Sequence, residues 1–447
     1  MKLKVAFALF FLASTVSFAQ ERVWSLEECV NYALEHNLSV KRTKLNVESA
    51  DIEVKASWSN FLPNLNANAS QNLSFGSSIS PESNLRVPAN FTSTNGGLNS
   101  STNVFNGFRN ISEYRRAKVG VESSKLELEK MQNDISLNVV NSYLTILFDK
   151  ENLEVAQTQK RISQEQVDRI KALVDAGSSP RSDLYDIEAT LANDIQNEVM
   201  MQNALDLSLL NMTQLLQIPS DNFDVEAVDV GSPSFAMAAK NSSVIYEKAL
   251  QIMPEIKKAQ MDYESTDFDI KLAKSGFYPS LGLSLGMNSF YNRRLSDANP
   301  ELYDSFGDQM ANNVNYNVGL SMSIPIFNRN QNKANVKRAT ITQRRSELDL
   351  AQEKQTLYQN IESAFLDAKS ATKTFEAAKT SLKSQLEAFR NAEERFNVGA
   401  MTSYDFNQTR NGLVNAQATL IRAKYDYVFK MKLLRFYYGE PLMERNW

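Results

Sequence analysis

The stretch "VNYNVGLSMSIPIFNRN", residues 314–330, alternates between apolar and polar side chains until it reaches a proline. Every even-numbered residue from 314 to 326 is apolar, and the odd-numbered residues from 315 to 323 are Asn, Gly or Ser. Successive side chains of a β-strand point to opposite faces, so the pattern predicts a strand with one apolar and one small polar face. This strand is about twice the usual length in a soluble domain.

Three further stretches follow the same alternation: 65–75, 281–291 and, more weakly, 96–105. At about 3.3 Å per residue and a tilt near 40°, twelve residues rise about 30 Å, enough for the apolar band of a membrane barrel. A soluble sandwich is the alternative interpretation. Strand length and the Asn, Ser and Gly of the polar face favour a transmembrane barrel with a water-filled lumen.

The chain also repeats itself. "FLPNL" (61–65) matches "FYPSL" (277–281), and "VFNGFRN" (104–110) matches "IFNRNQN" (326–332). Each half is predicted to run helix, strand, loop, strand, long helix, tip, helix. We therefore expect a first repeat at 20–217, a linker at 218–241, and a second repeat with a short C-terminal tail at 242–447.

Long proline-free segments predict long helices. Residues 109–176 and 330–398 would each form about 100 Å of helix, and their heptad spacing favours coiled packing. Their lengths suit one long helix beside two shorter helices stacked end to end. An ordinary helical bundle is the alternative, but it leaves the long strands unexplained. The predicted shorter helices are 38–60, 181–217, 254–277 and 402–437.

Each long helix ends in the same kind of turn, which we call a tip. "AGSSPRSDL" (176–184) and "VGAMTSYDF" (398–406) each place an Asp six residues after a Gly, and the two motifs lie 222 positions apart. A Gly near a helix end can adopt a positive φ and turn the chain. Ser182 or Asp183 is then expected to cap the following helix.

Aromatic residues gather at the predicted strand ends nearest the helices. In a barrel they would form an aromatic girdle at the periplasmic interface. This predicted interface girdle consists of Trp58, Phe61, Phe105, Phe108, Tyr278 and Phe327.

The rest of the sequence narrows location and chemistry. Residues 1–19 have the layout of a secretory signal peptide. The formal net charge of −4 gives no case for nucleic acid, and Cys29 is the only cysteine, so an intrachain disulfide is impossible. The one histidine, His36, stands beside Asn37, where capping is the favoured role. No metal-ligand spacing or catalytic motif is present, so we expect neither enzymatic activity nor a cofactor or metal.

Four strands cannot close a transmembrane barrel, and an open edge is not tolerated in lipid. The chain must therefore assemble with copies of itself. Two, three or four copies would supply about eight, twelve or sixteen strands, and physical reasoning alone does not choose among them.

Taken together, "ALEHNLSVK" (33–41), the two proline motifs, "SIPIFNRN" (323–330) and the two tips resemble the TolC-like outer-membrane efflux protein family. The resemblance runs from Trp24 to Leu442. It implies a mostly α-helical, internally duplicated trimer with a twelve-stranded outer-membrane β-barrel and a long coiled-coil tunnel in the periplasm. It also implies a mixed α/β girdle where the linker falls.

The resemblance also implies roles for the tips, which in this family form the closed aperture and meet a periplasmic adaptor. Asp183 and Asp405 correspond to acids at the pore constriction, although N-capping alone is the alternative. Gln408 stands where a second acid is expected, and Met401 where an Arg would link neighbouring hairpins. The expected adaptor-contacting residues are Gly177, Ser178, Ser182, Leu184, Gly399, Thr402, Ser403 and Phe406.

The function so implied is an exit duct for a tripartite efflux pump or a type I secretion system. The expected partners are two further copies, an adaptor, an inner-membrane pump or ABC transporter, and outer-membrane lipid. The alternative is a barrel-anchored trimeric structural or adhesive stalk without transport. The cargo stays open among drugs, metal ions, siderophores and polypeptides.

Overall fold

A computed structural model describes residues 22–88, 90–220, 222–227, 241–295 and 304–440. The predicted signal peptide, most of the predicted linker and the C-terminal tail lie outside these residues. The chain is mostly helical and divides into two compact units. Among the described residues, the strand unit comprises those within Asn46–Lys125 and Lys258–Ala351. The helical unit comprises residues 22–45, the described part of Leu126–Lys257, and residues 352–440.

The elements follow one another in this order: β1 (Arg22–Trp24), α1 (Leu26–His36), α2 (Leu38–Ser59), β2 (Asn66–Ser74), β3 (Ser77–Ile79), β4 (Arg86–Pro88), β5 (Phe91–Asn106), α3 (Arg109–Asp175), α4 (Arg181–Leu216), β6 (Phe223–Val225), α5 (Ser242–Ile252), α6 (Pro254–Ser275), β7 (Ser280–Arg294), α7 (Phe306–Asn312), β8 (Asn315–Ser323), α8 (Gln331–Asn397) and α9 (Ser403–Tyr438).

The strand unit contains an antiparallel sheet in the order β2-β5-β7-β8. All four predicted strands are confirmed. β5 begins earlier than expected because its pairing with β7 continues up to Phe91 opposite Arg294. β8 ends at Ser323, short of the predicted end, because Pro325 has no N–H to offer a strand neighbour.

The register of the sheet separates two faces. Leu98, Met287 and Tyr316 lie side by side across three strands, while Asn288 and Asn315 pair on the opposite face. One face is therefore largely apolar around Met287 and toward Leu281, and the other face carries Asn, Ser and Gly. Both β2 and β8 stand at open edges of the sheet.

The helix predictions are confirmed within two residues at every end. α3 and α8 each contain 67 residues, because neither segment has a proline to interrupt the backbone hydrogen bonds. The helices that follow the tips contain 36 residues each. Among the described helices, none is long and apolar enough to cross a bilayer.

The helical unit has its own core, which includes the fully buried side chains of Cys29, Val30 and Tyr143. β1 and β6 pair in parallel beside it, and the Tyr143 hydroxyl donates to the Glu226 carbonyl at 2.7 Å. Phe223–Val225, within the range predicted as a linker, thus forms part of a small sheet. Its two apolar side chains are buried, which ties this segment to the core.

Candidate functional site

The two tips have the same backbone geometry. Gly177 and Gly399 have φ angles of +72° and +73°. At the first tip, Ser178 N donates to Leu173 O at 2.8 Å and Gly177 N to the carbonyl three residues earlier at 3.0 Å, and the second tip repeats both bonds at equivalent positions. This is a helix C-cap that requires a left-handed residue, as glycine readily provides. The predicted glycine turns are confirmed.

The helix after the first tip begins differently from the prediction. Its N-cap position is Pro180, and no side chain accepts a hydrogen bond there. Asp183 instead accepts hydrogen bonds from the hydroxyls of Ser179, at 2.9 Å, and Ser182, at 3.5 Å. The expectation that Ser182 or Asp183 caps this helix is therefore wrong. Proline sets the entry angle through its fixed φ, and the carboxylate turns toward hydroxyl groups.

The second tip does carry a side-chain cap. The Thr402 hydroxyl accepts a hydrogen bond from Asp405 N at 3.1 Å and donates to the Asp405 carboxylate at 2.7 Å. The Asp405 side chain is exposed, as is Gln408 one turn further on. A carboxylate in the first helical turn also interacts favourably with the helix dipole.

Most of the predicted tip residues lie at the surface, but Phe406 does not. Its side chain is only 1% exposed and packs against the rings of Phe396, at 4.5 Å, and Phe389, at 5.6 Å. Phe406 is thus a core residue that holds α9 against α8, and assigning it to the adaptor-contacting surface was wrong. Leu184 and Ser403 are half-buried.

Two exposed tyrosines were missed by the sequence prediction. Tyr185 follows the first tip, and Tyr404 follows the second; both side chains are largely exposed. Val398, just before Gly399, is also exposed. Tyrosines at helical spacing look like packing residues in a sequence, and only the three-dimensional structure shows which of them face outward.

A buried polar cluster near the tips was missed as well. The Arg410 guanidinium contacts the carboxylate of Asp194 and donates from Nε to Gln159 at 3.1 Å. Ser163 donates to the same carboxylate. The Arg410 side chain is 3% exposed, and the cluster joins α3, α4 and α9. The available signal was an arginine within the apolar stripe of α9, between Phe406 and Leu413.

Further polar contacts connect the two hairpins, which are α3 with α4 and α8 with α9. Arg169 in α3 donates to the backbone carbonyl of Asn397, at the end of α8, at 3.3 Å. Glu151 in α3 accepts from Lys424 and from the Tyr425 hydroxyl in α9, both at 2.7 Å. Within the helical unit, each hairpin is thus held to the other at several levels.

Part of the predicted interface girdle forms a contiguous group. The Phe105 and Phe108 rings meet edge to face, with their centroids 5.1 Å apart. The Phe108 and Tyr278 rings meet in the same way, with their centroids 6.1 Å apart. Trp58, Phe61 and Phe327 are exposed. The backbone at Gly107 and Phe108 is left-handed, and a Cβ at Gly107 would lie 2.5 Å from the Ser275 carbonyl oxygen.

Two buried titratable groups serve packing rather than chemistry. Burial raises the pKa of the Cys29 thiol to about 12, with the Glu28 charge adding to the effect, so the thiol stays protonated at neutral pH. Burial also raises the pKa of the Tyr143 hydroxyl. Throughout the part of the chain that the structure describes, no group of three or more His, Cys, Asp or Glu side chains could hold a metal ion.

The chain has a sheet with an exposed apolar face, very long helices and two equivalent tips. These features together define the class of outer-membrane channels with a periplasmic helical tunnel. The family model described as "Outer membrane efflux protein" matches residues 29–216 and again 245–440. The chain belongs to that family, whose members act as exit ducts in the outer membrane.

Individual relatives agree with this assignment. Outer membrane protein TolC of Vibrio cholerae is 23% identical over 431 residues, covering 95% of this chain and 93% of the relative. Cation efflux system protein CusC of Escherichia coli O157:H7 is 23% identical, covering 89% and 82%. The CmeC outer membrane channel of Campylobacter jejuni has a solved structure that superposes with a TM-score of 0.77, at 19% identity, covering 94% and 87%.

Proposed function

We propose that three copies of this chain close a twelve-stranded barrel in the outer membrane and form an exit duct for a tripartite efflux pump or a type I secretion system. The observation that carries this proposal is the exposed apolar face of the four-stranded sheet. Its side chains on β8 and just beyond are more than half exposed, and Ile326 reaches 95%. Such a surface suits lipid.

The open edges of the sheet support self-assembly. β2 and β8 each lack a partner on one side within the sheet, and an unpaired edge is costly in lipid. β8 runs antiparallel to β7, and the sheet alternates in direction throughout. The β8 edge of one copy can therefore continue into the β2 edge of the next as an antiparallel pair. The family resemblance supports three copies.

The tips supply the contact with a periplasmic adaptor. We assign this docking surface to the exposed predicted residues together with Tyr185, Tyr404 and Val398. Tyrosine contributes a large contact area with little loss of side-chain entropy. The pore constriction consists of Asp183, Asp405 and Gln408 from each copy, so that the entrance is acidic.

The duct itself works without a catalytic step or a cofactor. The polar face of the sheet offers Asn, Ser and Gly along most of its length, for example Asn99 donating to Asn68 at 2.7 Å. A neutral, hydrogen-bonding lumen accepts many solutes. Choice of cargo therefore belongs to the inner-membrane pump or ABC transporter that feeds the duct.

Single-channel recording in a planar bilayer tests this function. The purified chain should run as a trimer in mild detergent and should conduct after the tips are loosened by substitution. A protein that inserts as a trimer but never conducts would be a stalk, the alternative without transport. A folded monomer in the membrane would contradict the assembly.

A further inference from the structure

The short helix α7 lies on the apolar face of the sheet. Tyr291 and Phe306 meet edge to face at 5.1 Å, and the Ser289 hydroxyl donates to the Met310 carbonyl at 2.6 Å. A Cβ at Gly96, which pairs with Ser289, would lie 3.6 Å from the Met310 methyl group. Gly96, Ser289 and Tyr291 share the face of Met287 and Leu98, so α7 lies over one end of that face and leaves Met287 and Leu98 exposed.

The helix also completes the edge of β7. β8 pairs with β7 only as far as Asn288. Beyond that point, Asn292 N donates to the Gln309 side chain at 3.0 Å, and the Asn313 side chain donates to the Phe290 carbonyl at 2.9 Å. These bonds satisfy the N–H of Asn292 and the carbonyl of Phe290, which a neighbouring strand would otherwise pair. α7 is therefore held firmly at one height along the sheet.

The position of α7 along the sheet matches the outer boundary expected for the apolar band of a transmembrane barrel. Phe105, in the predicted interface girdle, pairs with Leu281, and Tyr291 stands ten residues further along β7. Ten residues at about 3.3 Å and a tilt near 40° rise about 25 Å, which is the height of the apolar band of transmembrane barrels. Aromatic residues flank that band at both interfaces.

Polar side chains join the same face at this level, although Leu73 of β2, opposite Thr92, is still apolar and exposed. Gln71 donates to Thr92 at 2.7 Å and accepts from Thr94 at 2.8 Å, and Arg293 pairs across from Thr92. By contrast, Leu281, Leu283, Leu285 and Met287 occupy this face nearer the interface girdle. On β5 and β7 the apolar surface thus gives way to polar residues where α7 lies, while Phe306 on α7 remains 54% exposed.

We propose that α7 is an interfacial helix that lies among the head groups of the outer lipid leaflet, with Phe306 and Tyr291 forming the second aromatic girdle of the barrel. The partner of this surface is lipid. An exposed Phe beside a Tyr at a band edge suits the head-group region, where amphipathic and aromatic side chains are favoured. This assignment rests on the proposed barrel.

Site-directed spin labelling of the full chain in dioleoylphosphatidylcholine bilayers tests it. Four variants would each carry one added cysteine for the label: Phe306→Cys, Ala311→Cys, Val318→Cys and Ile79→Cys. The native Cys29 is fully buried and can stay in place. Collisions with oxygen report lipid depth, and collisions with a nickel chelate report water. Val318 marks the apolar band, Ile79 marks the exposed β3–β4 hairpin, and Ala311 marks a different side of α7.

The label at 318 should favour oxygen strongly, and the label at 79 should favour nickel. The label at 306 should lie about 15 Å shallower than that at 318, because Val318 pairs with Leu285, six residues before Tyr291. It should also lie deeper than the label at 311. A label at 306 that is as nickel-accessible as 79, or as deep as 318, overturns the interfacial helix. Loss of oxygen preference at 318 would instead refute the barrel.

Discussion

Arg410 and Asp194 form an ion pair in the interior of the helical unit, with the Arg410 side chain only 3% exposed. The pair joins the helix that follows the second tip to the helix that follows the first. Gln159 and Ser163 complete its hydrogen bonds from α3. A guanidinium removed from water in this way requires all of these partners.

Removing one member of this pair should destabilise the protein strongly. Arg410→Met leaves the partly buried Asp194 carboxylate, 18% exposed, without its cation. This should cost about 3 kcal/mol, the lower end of the range for a buried pair, whereas the double variant Arg410→Met/Asp194→Leu should recover most of that loss. Thermal unfolding in detergent measures the difference. Arg161→Met, which breaks an exposed pair with Glu165, is the control and should change stability by less than about 1 kcal/mol. Equal effects at both sites would contradict the assignment.

The contacts between the hairpins should also restrain the aperture. Arg410→Met combined with Arg169→Met removes the bonds from α9 to Asp194 and from α3 to the end of α8. Because fewer bonds then hold the tips together, we expect a higher open probability in bilayer recordings than for wild type. Arg161→Met again serves as the control. Unchanged gating in the double variant, with the trimer intact, would show that these contacts only stabilise the fold.

The acids at the tips should make the entrance attract cations. Three chains would place six carboxylates around it, and hexamminecobalt(III) added on the periplasmic side should block conductance. Asp405→Asn should weaken that block more than Asp183→Asn. The Asp405 side chain is exposed, whereas Asp183 is half-buried and accepts from two hydroxyls.

The matched control for this block is Asp349→Asn, which removes an exposed carboxylate from α8 far along the chain from either tip. It should leave the block unchanged. If wild type, Asp183→Asn and Asp405→Asn are all inhibited equally, the two acids act on helix structure alone and not on the pore.

Much of the fold was predictable because its signals are local. The alternation in β8 and the absence of proline in α3 and α8 fix element type directly, and Gly177 and Gly399 mark the turns. Arg410 and Asp194 are 216 positions apart, and no local pattern pairs them. Phe406 faces α8 rather than a partner because of helix packing, which a tip motif does not encode. α7 has only seven residues, too few for a periodic signal.

The Glu255 carboxyl group, at the start of α6 in the helical unit, lies near other acidic side chains. Glu255 is half-buried there, and burial raises the pKa of its carboxyl group. The charges of Asp134 and Glu353 raise this pKa further, whereas Lys130 and a backbone hydrogen bond lower it. Burial likewise raises the pKa of the nearby Tyr437 hydroxyl.

Glu255→Gln should therefore stabilise the protein at neutral and alkaline pH. The folded chain binds the Glu255 proton more tightly than the unfolded chain does, so wild-type stability falls as pH rises from the ordinary carboxyl range through the raised pKa. The uncharged amide avoids that loss. The thermal midpoint of the variant should exceed that of wild type at about pH 8, and the gain should vanish near pH 4, where the acid is protonated. Glu264→Gln, an exposed position on the same helix, should show no such trend. A gain independent of pH would mean that packing, not ionisation, is responsible.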